Sequence, residues 1–550
     1  MKHRPDTKLQ VLWNRLLAVV EEQGQALIRA AFSPIVRECG DISAGIFDAQ
    51  GRMLAQAVTG TPGHINTMAE AVKTLRGMFS VQQMRPGDIF LTNDPWIASG
   101  HLNDFLLMMP VFWNGSVVGF TACTSHLIDL GGLGMGPEGS DIFDEGLLIP
   151  PCKLVEQGTI NALLLDIVKA NSRDPIANEG DIYALIACCE AGARRLVETM
   201  EEFNLSDLDA LSNYIIETSR RGTVDAIAAL PRGTYYNIMT VDGYEAEIEL
   251  HAKLTIQNDR ILLDFTGTSP CSRKGVNVPL NYATAYSVFA LRCLIGPDIP
   301  NNAGSLAPFH VTGPRGCILN AQPPAPVAMR HTLGQLTPDL VFGCLADALP
   351  DCVPAEGASC MYDLPLRHAP EAVARGDKRF ALELVFNGGT GARTGFDGLS
   401  ATAFPSGVWG SQVETTEASA PVLITKRELR ADSGGAGRMR GGLGQQIELR
   451  PAKDQDILLF LSLDRIENPP LGRDGGAAGA SGRVRIGQEG SELPGKGVVR
   501  VPAGQTLIFE TPGGGGFGPP SERDPEALQQ DLNEGLITEA AAREIYGGTL

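Results

Sequence analysis

Residues 93–132 read NDPWIASGHLNDFLLMMPVFWNGSVVGFTACTSHLIDLGG, and the reading of this stretch decides the fold. Two apolar runs, 105–113 and 116–124, flank Asn114-Gly115. Asn-Gly between two such runs is the strongest short-range signal for a two-residue hairpin turn, so the runs are predicted to be neighbouring antiparallel strands of one sheet. Such a hairpin returns His126 to the end from which His101 leaves. His101 and Asp104 stand three residues apart, a spacing that shares one face of a turn or of a helix start. The chain has only eight histidines, and two of them lie here beside the carboxylates of Asp94, Asp104 and Asp129. An imidazole pair with a carboxylate is a common way to hold a divalent transition metal while leaving positions open for water or substrate. His101, Asp104 and His126 are therefore the candidate ligands. The alternative is a pair of buried histidines bonded to backbone, with Asn93-Asp94-Pro95 an ordinary turn.

Outward from this stretch, Asp94 and Asp129 are adjoining candidates for catalytic carboxylates. His64, which follows Pro62-Gly63, is a candidate general acid or base because imidazole titrates near working pH. A loop histidine satisfied by hydrogen bonds is the plainer alternative.

The 550 residues exceed one ordinary domain and suggest roughly two to four. The 64 glycines and 36 prolines favour turns and sheet over a helical bundle. A formal charge of −19 opposes binding to nucleic acid or to an anionic membrane. No apolar run is long enough to span a bilayer. The N-terminus lacks a signal-peptide layout and reads instead as an amphipathic helix with Leu12, Leu16, Val19 and Val20 on one side. Eleven cysteines without a C-x-x-C pair fit a reduced, cytoplasmic protein in which most thiols are buried as small hydrophobes.

The pattern predicts an α+β multidomain chain: mixed sheets with covering helices, a Gly-rich, β-dominated C-terminal half and a short helical tail. Residues 1–229 form the first, metal-site domain, with helices over 66–79, 180–203 and on to 229 covering one face of its sheet. Pro231-Arg232-Gly233 opens a central domain, 230–380, in which period-two strands are followed by helices apolar on more than one face. A β-rich domain covers 381–518, and a helical tail covers 519–550, with Asp524-Pro525 as a helix start. The tail's apolar residues require a docking surface, either its own core or a partner, and we expect it to help hold a heteromeric complex. The run Gly513–Gly516 invites a phosphate-cradle reading. No lysine follows at P-loop spacing, so a tight crossing or subunit-contact loop is expected there and around Arg438 and Arg440.

Several stretches together resemble one family. SPIVRECGDISAGIFDAQGRMLAQ (33–56), PGHINTM (62–68), GDIF with TNDP and HLND (87–104), HLIDLGG (126–132), KANSRDPIANEGDIYA (169–184), LRADSGGAGRMRGGLG (429–444) and TPGGGGFGPPSERDP (511–525) follow in the order of the hydantoinase B / oxoprolinase family. The resemblance implies a divalent metal (zinc, manganese or iron) on His101, Asp104 and His126, with Asp41 of ECGDIS as a fourth ligand. Many members carry two adjacent histidines where this chain has His126-Leu127, so any role of the second is absent. The resemblance further implies ATP-dependent hydrolysis of a small cyclic amide: a hydantoin, 5-oxoproline or a lactam. ATP and magnesium would sit on a separate hydantoinase A-like subunit of actin-like fold, in a complex of two plus two subunits. Two alternatives stand beside it. One is a subunit of an acetone- or acetophenone-type carboxylase, whose large subunits are similar; the other is a non-catalytic scaffold with a structural metal.

Overall fold

The computed structural model describes residues 7–58, 60–371, 380–452, 455–488 and 490–547. Its first sheet is built from β1 (Ile42–Asp48), β2 (Met53–Gln56), β3 (Ile89–Thr92), β4 (Asp104–Trp113), β5 (Ser116–His126), β6 (Cys152–Glu156) and β7 (Thr159–Ile160). They lie in the order β2-β1-β5-β4-β3-β6-β7, and every neighbouring pair is antiparallel. The β4–β5 hairpin forms as expected: Asn114 and Gly115 both take positive φ, which the favoured two-residue turn needs.

Three helices pack on this sheet, α1 (Thr7–Ala30), α2 (Pro62–Met78) and α4 (Pro175–Glu202); α3 (Ala162–Asn171) lies against α4, with α5 (Asp209–Ala228) beside them. The expectation of helices on one face is corrected. Leu16 of α1 and Leu185 and Leu196 of α4 pack with Ala44, Phe105, Leu107 and Cys123. Met68, Val72 and Leu75 of α2 pack with Phe47, Leu106, Met108 and Phe120 on the opposite face. The reason is in the strand itself: Phe105-Leu106-Leu107-Met108 is apolar at every position, so both faces of β4 must be covered. Helix α2 also starts earlier than the periodicity suggested, because Pro62 sits at its first turn, where its missing N–H is no loss.

The second sheet, order β11-β10-β9-β8, contains β8 (Gly233–Val241), β9 (Ile248–Ile256), β10 (Ile261–Asp264) and β11 (Phe309–Thr312), with β10 and β11 parallel. Helices α6 (Leu280–Leu294) and α7 (Thr337–Leu345) are buried, as their all-round apolarity requires. The third sheet joins β12 (Tyr362–His368), β13 (Ala381–Phe386), β16 (Ile457–Ser462) and β18 (Lys496–Val501). The fourth joins β14 (Val422–Leu429), β15 (Gln445–Pro451), β17 (Arg483–Ile486) and β19 (Leu507–Glu510). One hydrophobic core runs through sheets two, three and four. The boundary expected between 380 and 381 is also corrected: β12 and β13 pair as adjacent strands, so that point lies within a sheet.

The glycine run is the tight crossing anticipated from its composition. Extended backbone at Gly513–Gly516 is hydrogen-bonded to Ala480, Gly442, Glu356 and Ala477, strand against strand, with no side chains between. A Cβ on Gly514 would lie 1.9 Å from the Thr390 carbonyl oxygen. Helices α8 (Pro525–Asn533) and α9 (Glu539–Glu544) form the tail. It docks on its own chain: Ile537, Ala542 and Tyr546 pack with Ala436, and Asp531 receives Arg440 at 3.3 Å. Its own chain thus supplies a docking surface for the tail's apolar residues. Among the described residues no helix is long and apolar enough to cross a membrane, and no two cysteines form a disulfide.

The mesh predicts a contrast between two glycines. Gly504→Ala, at φ +78° with open space around it, should cost about 1–2 kcal/mol through its left-handed backbone alone. Gly514→Ala should cost about 3 kcal/mol or more, because the clash is with backbone that cannot rotate away. Urea unfolding of the two variants checks the ordering.

Candidate metal centre

Asp104 opens β4 and His126 closes β5, and the hairpin register sets them directly opposite each other. Strand alternation puts Asp104 on the face of Leu106 and Met108, and His126 on that of Ala122, which is the face covered by α2. The first turn of α2 delivers His64 to the same place. His101 arrives from the turn before β4, where Gly100 takes φ +89° with a would-be Cβ 3.0 Å from Tyr282. Only glycine combines that conformation with that closeness.

The geometry centres on Asp104, which is fully buried. Its Oδ1 lies 2.8 Å from His101 Nε2 and 3.3 Å from His126 Nδ1. Its Oδ2 lies 3.0 Å from His64 Nε2 and 2.6 Å from Arg330 Nη2. The donor atoms of His101, Asp104 and His126 are all within 4.8 Å of one another, close enough to share one cation. Asp41 stands one contact further out. It accepts from Thr61 Oγ1 at 2.8 Å and lies 3.5 Å from His64 Nδ1, so the structure pairs it with His64 and not with the three clustered donors.

Burial alone would push the Asp104 carboxyl up, but His101, His64 and Arg330 outweigh it and hold it well below the usual carboxylate range. His101 is pushed down to about 4, by burial first and Arg330 second, so its ring is neutral at physiological pH. Its Nδ1 lies 3.0 Å from the Ala328 carbonyl oxygen. A neutral ring donating there leaves the Nε2 lone pair facing Asp104, the form a metal ligand needs. For His126 burial acts downward, but Glu383 and Asp104 raise it well above its ordinary value.

Asp94 and Asp129 are engaged elsewhere. Asp94, half-buried, accepts from the Trp96 N–H at 2.9 Å and caps the turn before His101. Asp129 receives Arg173 Nη1 at 2.6 Å and a further bond from the Arg173 N–H, which ties the segment after β5 to the start of α4. The structure thus gives fold-holding contacts to both and brings neither into the histidine cluster.

Sequence reasoning missed Arg330, His331, Asp363 and Glu383. Arg330 also donates from Nε to the Ser99 carbonyl at 2.8 Å and lies over the Tyr282 ring at 4.3 Å. His331, with no hydrogen bond at either ring nitrogen among the described residues, lies 3.6 Å from Asp363. Glu383 Oε2 lies 2.9 Å from His126 Nε2. The available signal was a charge inside an apolar strand, Glu383 in ALELVF and Asp363 in MYDLPL. Lone charges there are buried only when partnered.

Comparison with known proteins shows what the chain is similar to. The family model described as hydantoinase B/oxoprolinase matches residues 6–520. An uncharacterized protein of Methanocaldococcus jannaschii is 30% identical, over 98% of this chain and 95% of its own length. The B subunit of a putative D-/L-hydantoinase from a Pseudomonas species is 28% identical over the same shares of the two chains. 5-Oxoprolinase 1 of Arabidopsis thaliana is 29% identical over 93% of this chain, which spans 42% of that protein. Among solved structures, the ATP-dependent caprolactamase of Pseudomonas jessenii superposes with a TM-score of 0.89 at 26% identity, covering 100% of this chain and 97% of that one. Nucleotide-free acetone carboxylase shares the fold, with a TM-score of 0.86 at 22% identity over 99% and 80% of the two chains.

Arg330→Ala should destabilise the protein by roughly 3–5 kcal/mol, the cost of stripping one partner from a buried ion pair. Asp104 has a folded pKa below its unfolded one. Its contribution is present above the unfolded value near ~3.9 and is lost as pH falls through the folded value. Losing Arg330 shrinks that depression, so acid unfolding should begin at a higher pH than in the parent, as circular dichroism during acid titration will show.

Proposed function

The chain belongs to the hydantoinase B/oxoprolinase family, and on that footing we propose that it is the metal-carrying subunit of an ATP-dependent hydrolase that opens cyclic amides. The observation that carries this reading is the buried His101–Asp104–His126 cluster, in a chain that superposes along its whole length on an ATP-dependent caprolactamase. The substrate class is a hydantoin, 5-oxoproline or a lactam. Resonance protects such an amide. A second, hydantoinase A-like subunit, holding ATP and magnesium, would transfer phosphate to the carbonyl oxygen and leave the ring carbon open to attack. That a relative is named as one subunit of a hydantoinase supports a separate partner chain.

One divalent ion, zinc, manganese or iron, fits the mixed nitrogen and oxygen donors of His101, Asp104 and His126. Such an ion, when bound, supplies Lewis-acid polarisation and an acidified water at neutral pH. The chain's own residues do the rest. Asp104 neutralises and orients the cluster. His64 is pushed down by burial but raised further by Asp104 and Asp41, to above its ordinary value, which favours its protonated form. It is therefore suited to protonate the departing ring nitrogen. The near-complete burial of His64, His101, Asp104 and His126 keeps bulk water from an activated intermediate.

Co-expression with the neighbouring subunit gene should give ADP release that depends on 5-oxoproline, a hydantoin or a lactam, with ring-opened product. Release that instead needs a ketone and bicarbonate would assign the reaction to the carboxylases. His101→Ala and His126→Ala should each abolish metal content and lower turnover by more than about 100-fold. Collapse of the fold or of the complex in both variants would mark a structural ion instead.

Metal affinity should also depend on pH. In the metal-free chain Glu383 and Asp104 favour the protonated form of His126, and an incoming ion must displace that proton. Affinity should therefore fall about tenfold for each pH unit below that raised pKa. Chelator competition at several pH values measures the slope, and a flat profile would rule out His126 as a ligand.

A further inference from the structure

β12 and β13 carry two acidic residues to which the family match and the metal cluster give no role. Their register pairs Asp363 with Val385 and Pro365 with Glu383, so the two acids are diagonal neighbours on one face of the hairpin. Strand alternation sorts the hairpin cleanly. Leu364, Leu382, Leu384 and Phe386 point into the core of the C-terminal sheets. Met361 and Val385 belong to the core beneath the first sheet, and Asp363 and Glu383 share their parity. The acids therefore face the histidine cluster across the junction of the two halves, at 1% and 5% exposure.

Glu383 Oε2 reaches His126 Nε2 at 2.9 Å, while the other ring nitrogen of His126 faces Asp104. The contact lies off the ideal hydrogen-bonding direction, and neither Oε2 nor Nε2 has another partner among the described residues. A buried carboxylate oxygen and a buried ring nitrogen left in that state are costly, and each is the nearest remedy for the other. His101 shows the same arrangement with a backbone acceptor: one ring nitrogen faces Asp104, the other the Ala328 carbonyl. Asp363 lies against Glu383, and neither of its oxygens receives an N–H among the described residues.

We propose that Glu383 is a positioning residue of the metal centre: its carboxylate accepts the Nε2 proton of His126 and fixes the ring with Nδ1 toward the ion shared with His101 and Asp104. A carboxylate behind a ligating histidine selects the tautomer, orients the ring and raises its basicity. The centre then has ligands from the first sheet only, but the orientation of one ligand comes from a strand more than two hundred residues further along the chain. This rests on the reading of His101, Asp104 and His126 as a metal site.

The test uses the full-length chain stripped of metal, titrated with zinc against a competing chelator. Glu383→Gln keeps size and an acceptor but loses charge, and should weaken zinc binding about tenfold. Glu383→Ala should weaken it by up to about 100-fold. Leu384→Ala, one residue on and facing the opposite core, should lower the melting temperature and leave zinc affinity unchanged. Cobalt substituted for zinc should show a shifted visible spectrum in Glu383→Gln relative to the parent. Parent-like zinc affinity and cobalt spectrum in both Glu383 variants would overturn the positioning role. An equal loss in Leu384→Ala would overturn it too, by reducing the effect to fold stability. Failure of the parent chain itself to bind zinc or cobalt would overturn the metal reading beneath it.

Discussion

A single buried carboxylate governs the arrangement of this molecule. Asp104 is sealed from water, and a lone charge of that kind costs several kcal/mol even after the surroundings relax. It is tolerable only because four nitrogen groups converge on it, from His101, His126, His64 and Arg330. Each of them fixes a different piece of chain. His126 fixes the β4–β5 register, since a slip by one residue would turn either side chain to the opposite face. His64 fixes where α2 begins, and His101 the glycine-dependent turn before β4. Arg330 ties in the segment before α7 and, through Ser99, the turn itself. Removing the charge would leave several cationic or donor groups without purpose, so the cluster is a constraint on folding.

How far the sequence revealed this follows from the range of each interaction. The Asn-Gly turn, the two strands it joins and the return of His126 towards the end of His101 are local, and they were legible from residues 93–132 alone. His64 and Asp41 entered through nearby motifs, and the structure sets them beside each other. Asp94 and Asp129 had the right type and neighbourhood. Their carboxylates hold a turn and an arginine instead, a distinction spacing cannot make. Arg330 and Glu383 lie far along the chain from the residues they serve, and no periodicity links such distant positions. The only trace of Glu383 was charge where the pattern called for apolar side chains. The same blindness to distance explains the helices: apolarity on both faces of β4 was visible, but which helix covers which face was not.

The glycine-rich half serves the same end by different physics. Where Gly389, Gly442 and Gly514 approach, backbone packs on backbone and is held by amide hydrogen bonds, without side chains to interdigitate. Such a mesh has little slack, because a displaced strand loses its bonds with no rotamer to compensate. It fixes the loops after β13 and β19, and through them the hairpin that bears Glu383. Beyond that hairpin in the chain, Ser411 bridges its Val385 N–H at 2.9 Å and the Cys39 thiol at 3.7 Å, two residues before Asp41. The Trp409 N–H donates to the Cys39 carbonyl at 2.8 Å beside it.

These links make the position of the C-terminal half relative to the first sheet a determinant of the centre. Ring orientation at a metal ligand is sensitive to small displacements, since a carboxylate moved by an ångström no longer selects the tautomer. A fold that drew all orienting groups from one sheet would be immune to movement between its halves. This one is not: His101 meets the Ala328 carbonyl in the segment before α7 and His126 meets Glu383 on β13, while His126 itself ends β5 and His101 stands in the turn before β4. The shared hydrophobic contacts of Met361, Val385 and Val408 with the first sheet's core oppose such movement directly. Packing between the halves, and not the ligands alone, therefore sets the geometry in which the three donor atoms meet.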